Sequence, residues 1–145
     1  MARRNPVTSA TAKLAVIDTS VYIDNLRSRR FEKELVDLKF VVRCSAVVLA
    51  ELWRGAGSRE MVRFVDSLSR NLRMIAPNER EWMDSGKIVG RLARAKGYDI
   101  HKTREIHFDV LIAMTARRIG AYLITADADD FTAIRQVMDF NLICW

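Results

Sequence analysis

The sequence predicts an α/β fold in which helices cover both faces of a mostly parallel sheet. The chain has 145 residues, of which 50% are hydrophobic and 29% charged, and this balance is typical of an ordered globular domain. Short apolar runs without polar alternation, such as residues 14–17 and 121–125, are typical of strands buried on both faces. The stretches between such runs carry helical periodicity and are long enough for the crossovers that parallel strands require.

The first half of the chain predicts two strands and four helices. Asp18, directly after the first strand, and Ser45, after the second, are residue types that commonly cap helix N-termini. Two glycines end the helix that follows Ser45, and a further apolar stripe at helical spacing comes after them. The predicted strands span residues 14–17 and 40–44, and the predicted helices span residues 21–26, 31–38, 46–56 and 59–71.

The second half predicts three more strands and three more helices. Pro77 stops a weak strand, Gly97 breaks the long helix after it, and Gly120 ends the next helix. The segment between the two long helices, residues 97–103, is predicted to be a loop. The predicted strands span residues 72–76, 121–125 and 141–145, and the predicted helices span residues 78–96, 104–119 and 129–138.

The charge distribution suggests a nucleic-acid partner and a separate N-terminal arm. The chain carries 24 basic and 18 acidic residues, a net charge of +6, and most of the basic residues are arginines, which bind phosphate bidentately. A surface enriched in arginine by codon bias alone is an equally good explanation. Residues 1–13 are polar, basic and aperiodic, so we expect a flexible basic arm followed by a single domain over residues 14–145.

Two further features bear on location and redox chemistry. The chain has no apolar run near the roughly 20 residues that cross a bilayer and no apolar secretion signal, so we expect a cytoplasmic protein without membrane contact. Cys44 and Cys144 each lie in an apolar run without metal-ligand spacing, so both are predicted to be small buried residues.

Four acidic residues stand at positions that need an explanation. Asp18 and Asp127 follow two predicted central strands, and ligands of open α/β sheets bind at the carboxyl ends of strands. Glu51 and Asp109 lie on otherwise apolar helical faces. A charge there costs several kcal/mol unless it is paired or binds a metal.

Each acid also has a purely structural explanation. Asp18 could cap the next helix, Glu51 could pair with Arg54, Asp109 could lie at a helix start, and Asp127 could be a turn residue. Together, however, four carboxylates in one crevice would repel one another strongly without a cation. Mg²⁺ or Mn²⁺ suits a site made only of carboxylates, because these ions prefer oxygen ligands.

The segments around these acids carry a family resemblance that covers the chain from Leu14 onward. They read VIDTSVYID, SAVVLAELWRGA, HFDVLIAMTARRIGAYLIT and ITADADDF. In order and spacing they resemble the PIN-domain ribonucleases, in particular the VapC-type toxins of toxin–antitoxin modules. The resemblance implies a three-layer sandwich with a central, mostly parallel sheet of about five strands. It also implies a Mg²⁺-dependent endoribonuclease whose catalytic metal ligands are Asp18, Glu51, Asp109 and Asp127.

The same resemblance assigns roles to neighbouring residues and partners. Thr125 matches the hydroxyl residue of the last motif, and Ser20 lies where a polar helper follows the first acid. Asp130 and Phe131 match the closing pair of that motif and are expected to be a helix cap and a core anchor. The implied partners are an RNA substrate, an antitoxin protein and a second copy of the chain, within a dimer or a larger toxin–antitoxin assembly. The alternative is a catalytically silent PIN-like module that binds nucleic acid.

Tryptophans offer a possible partner surface. Trp53 and Trp82 are by residue type more often core than ligand platforms. The helix that carries Trp53 has several apolar residues to place, including Leu49 and Leu52, and an exposed patch there could receive an apolar partner helix.

Overall fold

The computed structural model describes residues 12–145, so residues 1–11 of the expected arm lie outside the described part. Ala12 and Lys13 are exposed and precede the first strand directly. The elements, in chain order, are β1 (Leu14–Ile17), α1 (Thr19–Ser28), α2 (Glu32–Val36), β2 (Val41–Ser45), α3 (Ala46–Gly55), α4 (Arg59–Asn71), β3 (Arg73–Ile75), α5 (Glu79–Lys96), α6 (Ile100–Arg118), β4 (Tyr122–Thr125), α7 (Ala128–Arg135) and β5 (Asn141–Cys144).

The five strands form one parallel sheet in the order β3-β2-β1-β4-β5. From β1 the chain steps outward to β2 and β3, then returns to the opposite side of β1 to add β4 and β5. Right-handed crossovers that step in opposite directions place their helices on opposite faces of the sheet. The predicted α/β sandwich of five strands is therefore confirmed, and its topological switch point lies between β1 and β4.

The core lies around β1, β4 and the central turns of α6. Ala15 and Val16 in β1 are fully buried, and α6 is buried on all sides between Val110 and Ala116. Phe131 is also fully buried and packs edge-on against Phe140, which confirms it as a core anchor. The second half of α6 lacks a polar face because it is enclosed by the protein on every side.

The predicted loop at residues 97–103 is wrong in its second half, because α6 begins at Ile100. Gly97 ends α5 in the left-handed conformation, at φ 68°. Asp99 then caps α6, since its Oδ1 accepts a hydrogen bond from the Lys102 backbone over 2.8 Å. The first turn of α6 has no apolar periodicity, which is why the sequence pattern predicted a loop over these residues.

Three burial expectations need correction. Cys44 is buried as expected, but Cys144 is exposed because it ends the edge strand β5. Trp53 and Trp82 remain 41% and 50% exposed and are not core residues. Leu52 is fully buried, so it belongs to the core and cannot contact a partner.

Among the described residues, no helix is both long enough and apolar enough to cross a membrane.

Candidate functional site

A cavity of about 500 Å³ opens at the carboxyl ends of β1 and β4. All four acids singled out in the sequence line it, so the fold brings together residues that are far apart in the chain. Arginine and histidine side chains share the wall with these carboxylates. The charged and titratable lining residues are Asp18, Glu51, Arg54, His101, Arg104, Glu105, Asp109, Asp127 and Asp130.

Asp18 is buried at the end of β1 and is held by two hydroxyl groups. It occupies the N-cap position of α1, but its side chain makes no capping bond. Instead its Oδ2 accepts hydrogen bonds from Ser20 Oγ over 2.7 Å and from Thr125 Oγ1 over 3.0 Å. Burial raises the pKa of Asp18, and these two hydroxyl donors oppose the shift.

The same two hydroxyls connect Asp18 to the turn that carries Asp127. Ser20 Oγ accepts a hydrogen bond from the Ala126 backbone over 3.1 Å, and Thr125 Oγ1 accepts one from the Asp127 backbone over 2.9 Å. Each hydroxyl therefore accepts from the backbone after β4 and donates to the carboxylate after β1. This arrangement fixes the turn after β4 relative to Asp18.

Glu51 points into the cavity from α3. Its Oε1 accepts a hydrogen bond from Thr19 Oγ1 over 3.0 Å. No ion pair with Arg54 is found within residues 12–145, so the structural explanation considered for Glu51 does not apply. Burial raises the pKa of Glu51; the Thr19 bond opposes this, the charge of Asp18 adds to it, and Arg54 opposes it weakly.

Asp109 lies in the middle of α6, immediately before the buried turns of that helix. The helix-start explanation is therefore wrong, because nine residues of α6 precede it and the positive end of the helix dipole is distant. Burial raises the pKa of Asp109 to about 9, and the carboxylates of Asp18 and Glu51 add to the effect. A carboxylic acid with such a pKa is largely protonated at neutral pH unless a cation is bound nearby.

Asp127 is both the cap of α7 and part of a carboxylate cluster. Its Oδ1 accepts from the Asp130 backbone over 3.4 Å, so the expected cap role of Asp130 belongs to Asp127. One oxygen from each of Asp109, Asp127 and Asp130 lies within 4.8 Å of the others. Burial and then the charge of Asp130 raise the pKa of Asp127.

Sequence reasoning missed Asp130 as a cavity residue and missed Lys102 beside it. The Lys102 ammonium lies 2.6 Å from Asp130 Oδ1, across a separation of 28 residues. The spacing offered a clue for Asp130, because a residue three positions after a helix cap lies in the first turn beside the capping side chain. Lys102 could not be found, because its segment was predicted to be a loop.

The donor set fits a hard divalent cation. Every candidate ligand is a carboxylate oxygen, the ligand type that Mg²⁺ and Mn²⁺ prefer. Burial raises the pKa of all four acids, and neighbouring carboxylates add to the shift for Glu51, Asp109 and Asp127, which indicates an excess of negative charge around these three. A bound cation would relieve this excess.

The parallel sheet and the acidic cavity at its switch point define an α/β protein with a candidate centre for a hard cation. A model of the PIN domain family matches residues 15–137, and the chain belongs to this family. No curated protein matches the chain by sequence.

Solved structures share the fold at low sequence identity. VapBC-1 from nontypeable Haemophilus influenzae is 24% identical, with a TM-score of 0.66 over 91% of this chain and 98% of that chain. VapBC2 from Rickettsia felis, bound to a DNA fragment from its promoter, is 20% identical, with a TM-score of 0.65 and the same two coverages. VapBC-5 from Mycobacterium tuberculosis, of a toxin–antitoxin family, is 23% identical, with a TM-score of 0.59 over 91% of this chain and 98% of that chain.

Proposed function

We propose that this PIN-domain chain is a Mg²⁺-dependent endoribonuclease and the toxin of a toxin–antitoxin pair. The observation that carries the proposal is the meeting of Asp18, Glu51, Asp109 and Asp127 on one cavity at the switch point. Titratable groups that converge on one cleft and have raised pKa values are typical of functional sites. Mn²⁺ is the expected substitute ion, because it takes the same oxygen ligands.

In this proposal the four carboxylates hold the cation and the hydroxyls hold the carboxylates. The bound cation would neutralise charge on the scissile phosphate and lower the pKa of an attacking water. Ser20 and Thr125 fix Asp18 through Oδ2, and Thr19 fixes Glu51. These positioning residues keep the carboxylates in place without adding positive charge, so a cation is still required.

The cavity wall also offers groups that bind an RNA backbone. Arg54 and Arg104 line the same cavity as the carboxylates, and both residues are exposed. Guanidinium groups bind phosphate oxygens bidentately and retain their charge at every physiological pH. A phosphodiester that enters the cavity would therefore meet positive charge at the rim and the carboxylate centre beneath it.

The proposed antitoxin docks near Trp53. This side chain is 41% exposed at the C-terminal end of α3, directly before Arg54 of the cavity wall. Val62 on the neighbouring helix α4 is also 41% exposed. The VapBC structures of similar fold support a protein partner of this kind, and we also propose that the chain forms homodimers in a larger assembly.

Cleavage of RNA by the purified full-length chain tests the enzymatic part. We expect cleavage with Mg²⁺, loss of cleavage with a chelator and recovery when excess Mg²⁺ is added. Asp109→Asn should abolish the activity, whereas Asp66→Asn, which changes a partly exposed carboxylate paired with Arg70, should retain it. RNA binding without cleavage under all these conditions would instead identify a catalytically silent nucleic-acid-binding module.

A further inference from the structure

Lys102 places an ammonium group where a cation would bind Asp130. Its Nζ lies 2.6 Å from Asp130 Oδ1 and 2.7 Å from Oδ2. Nearly equal distances to both oxygens place the nitrogen close to the bisector of the carboxylate. A metal ion that a carboxylate binds in bidentate fashion lies on the same bisector.

The fold holds this lysine in position from two sides. Its backbone N–H donates a hydrogen bond to Oδ1 of Asp99, the N-cap residue, over 2.8 Å, and this bond fixes the first turn of α6. Its ammonium lies 5.9 Å from the centre of the Tyr98 ring, a distance typical of cation–π contacts. The side chains of Lys102 and Asp130 are only 33% and 16% exposed, so solvent screens this pair less than an ordinary surface ion pair.

The position of Lys102 restricts what the carboxylate cluster can bind. Asp109, Asp127 and Asp130 together offer three oxygens within 4.8 Å of one another. A divalent ion centred on this trio requires an oxygen of Asp130, and the ammonium already contacts both. Two cations so close together would repel each other strongly in a partly buried cavity.

The other carboxylates of the cavity have partners of a different kind. Asp18 accepts its side-chain bonds from Ser20 and Thr125, and Glu51 accepts from Thr19. Hydroxyl donors orient a carboxylate but leave its negative charge uncompensated. Among residues 12–145, no lysine or arginine forms an ion pair with Asp18, Glu51 or Asp109, so these carboxylates of the cavity attract a divalent ion more strongly than Asp130 does.

We propose that Lys102 is a built-in cation for Asp130 and that it limits the cavity to one bound divalent ion. The four carboxylates of the proposed metal centre then hold that single ion, while the ammonium neutralises Asp130. This inference deepens the proposed function and rests on it, because it concerns the metal of the same site. Lys102 acts as a positioning residue, since it sets the charge around the ion without holding it.

The number of bound Mn²⁺ ions tests this inference without any activity assay. The full chain is titrated with Mn²⁺, and free Mn²⁺ is counted by electron paramagnetic resonance. The variant is Lys102→Met, which keeps the length and apolar stem of the side chain but removes the charge. The matched control is Lys87→Met, which changes an exposed lysine of α5 that pairs with Asp84 at 3.7 Å.

We expect one equivalent of Mn²⁺ in the wild type and in Lys87→Met, and a second equivalent in Lys102→Met. Adding Asp130→Asn to Lys102→Met should remove that second equivalent, because the amide lacks the charge the ion needs. If the wild type and a folded Lys102→Met bind the same number of Mn²⁺ ions, one or two, the proposed role of Lys102 is wrong while the metal centre stands. No binding in any protein would overturn the proposed metal centre as well, so the two failures are distinguishable.

Discussion

The Thr125 hydroxyl donates a hydrogen bond to the Asp18 carboxylate over 3.0 Å, across 107 residues of sequence. The same hydroxyl accepts from the backbone N–H of Asp127 over 2.9 Å. Thr125 is fully buried, so neither bond has a water molecule as a ready substitute. One side chain therefore couples the acid after β1 to the acid after β4, at the switch point of the sheet.

Replacing Thr125 by Val should remove the hydroxyl that links Asp18 to Asp127 while keeping the shape of the side chain. Asp18 would lose one donor and the Asp127 N–H its acceptor, so we expect the free energy of unfolding to fall by about 1 to 3 kcal/mol. Thr125→Ser should retain most of the stability, because it keeps the hydroxyl. Urea unfolding of the metal-free proteins measures the difference, with Thr132→Val on the exposed face of α7 as control. Equal stability of Thr125→Val and wild type would show that the hydroxyl has no such role.

Asp109→Asn should separate metal chemistry from structure. Because burial and neighbouring carboxylates raise the pKa of Asp109 to about 9, its charged form is unfavourable in the folded, metal-free protein. The amide should leave this protein at least as stable as the wild type, yet reduce RNA cleavage by orders of magnitude. Thermal melts without metal, run beside cleavage assays, measure both effects. A variant that melts much earlier and still cleaves RNA would assign Asp109 to the fold and place the active site elsewhere.

The sequence was sufficient to predict the strands that position Asp18 and Asp127, because buried parallel strands appear as short apolar runs. It also placed Glu51 and Asp109 on apolar faces, and in the structure both of these side chains line one cavity. These positions could be predicted because each depends only on local sequence: the end of a strand or the periodicity of a helix.

The Lys102–Asp130 pair could not be predicted in the same way. It depends on how the first turn of α6 packs beside α7, and that turn has no apolar pattern to indicate a helix. The exposure of Cys144 depends on β5 being an edge strand, which only the strand order reveals. The burial of Leu52 beside the exposed Trp53 depends on which face of α3 meets the sheet.

The stability of the metal-free protein should fall as pH rises from mildly acidic to basic values. The pKa of Asp109 is about 9 in the folded state, against an ordinary value of 3.8, so between these values the folded chain binds more protons than the unfolded chain. The folded state therefore loses stability with rising pH, by at most about 1.4 kcal/mol per pH unit for this one group. The raised pKa values of Asp18 and Glu51 act in the same direction.

Urea unfolding at several pH values between those limits measures this slope. We expect Asp109→Asn to flatten it and saturating Mn²⁺ to flatten or reverse it, because the ion favours the deprotonated carboxylates. The matched control is Asp66→Asn, which should retain the wild-type slope. A metal-free wild type whose stability rises across this range would contradict the assignment of Asp109 as a buried, repelled carboxyl group.

Trp53→Glu should weaken binding of the proposed antitoxin. Trp53 is half-exposed and adjoins Arg54 of the cavity wall, so a partner anchored on its ring lies within reach of the active site. Buried tryptophan anchors commonly contribute about 2 kcal/mol or more to an interface, so we expect affinity to fall by at least about tenfold. Leu52 is unsuitable for this test, because a charge at a fully buried position would unfold the chain.

Co-purification with the protein encoded by the neighbouring open reading frame, followed by titration calorimetry, measures the effect. Trp82→Glu is the matched control, because Trp82 is similarly exposed but lies on α5, where its ring centroid is 6.5 Å from that of His107. Both variants should retain the wild-type fold, since each replaced ring already contacts solvent. If Trp53→Glu binds the partner as tightly as Trp82→Glu and the wild type do, the docking site is not at Trp53. If only Trp82→Glu loses the partner, the antitoxin surface lies on α5.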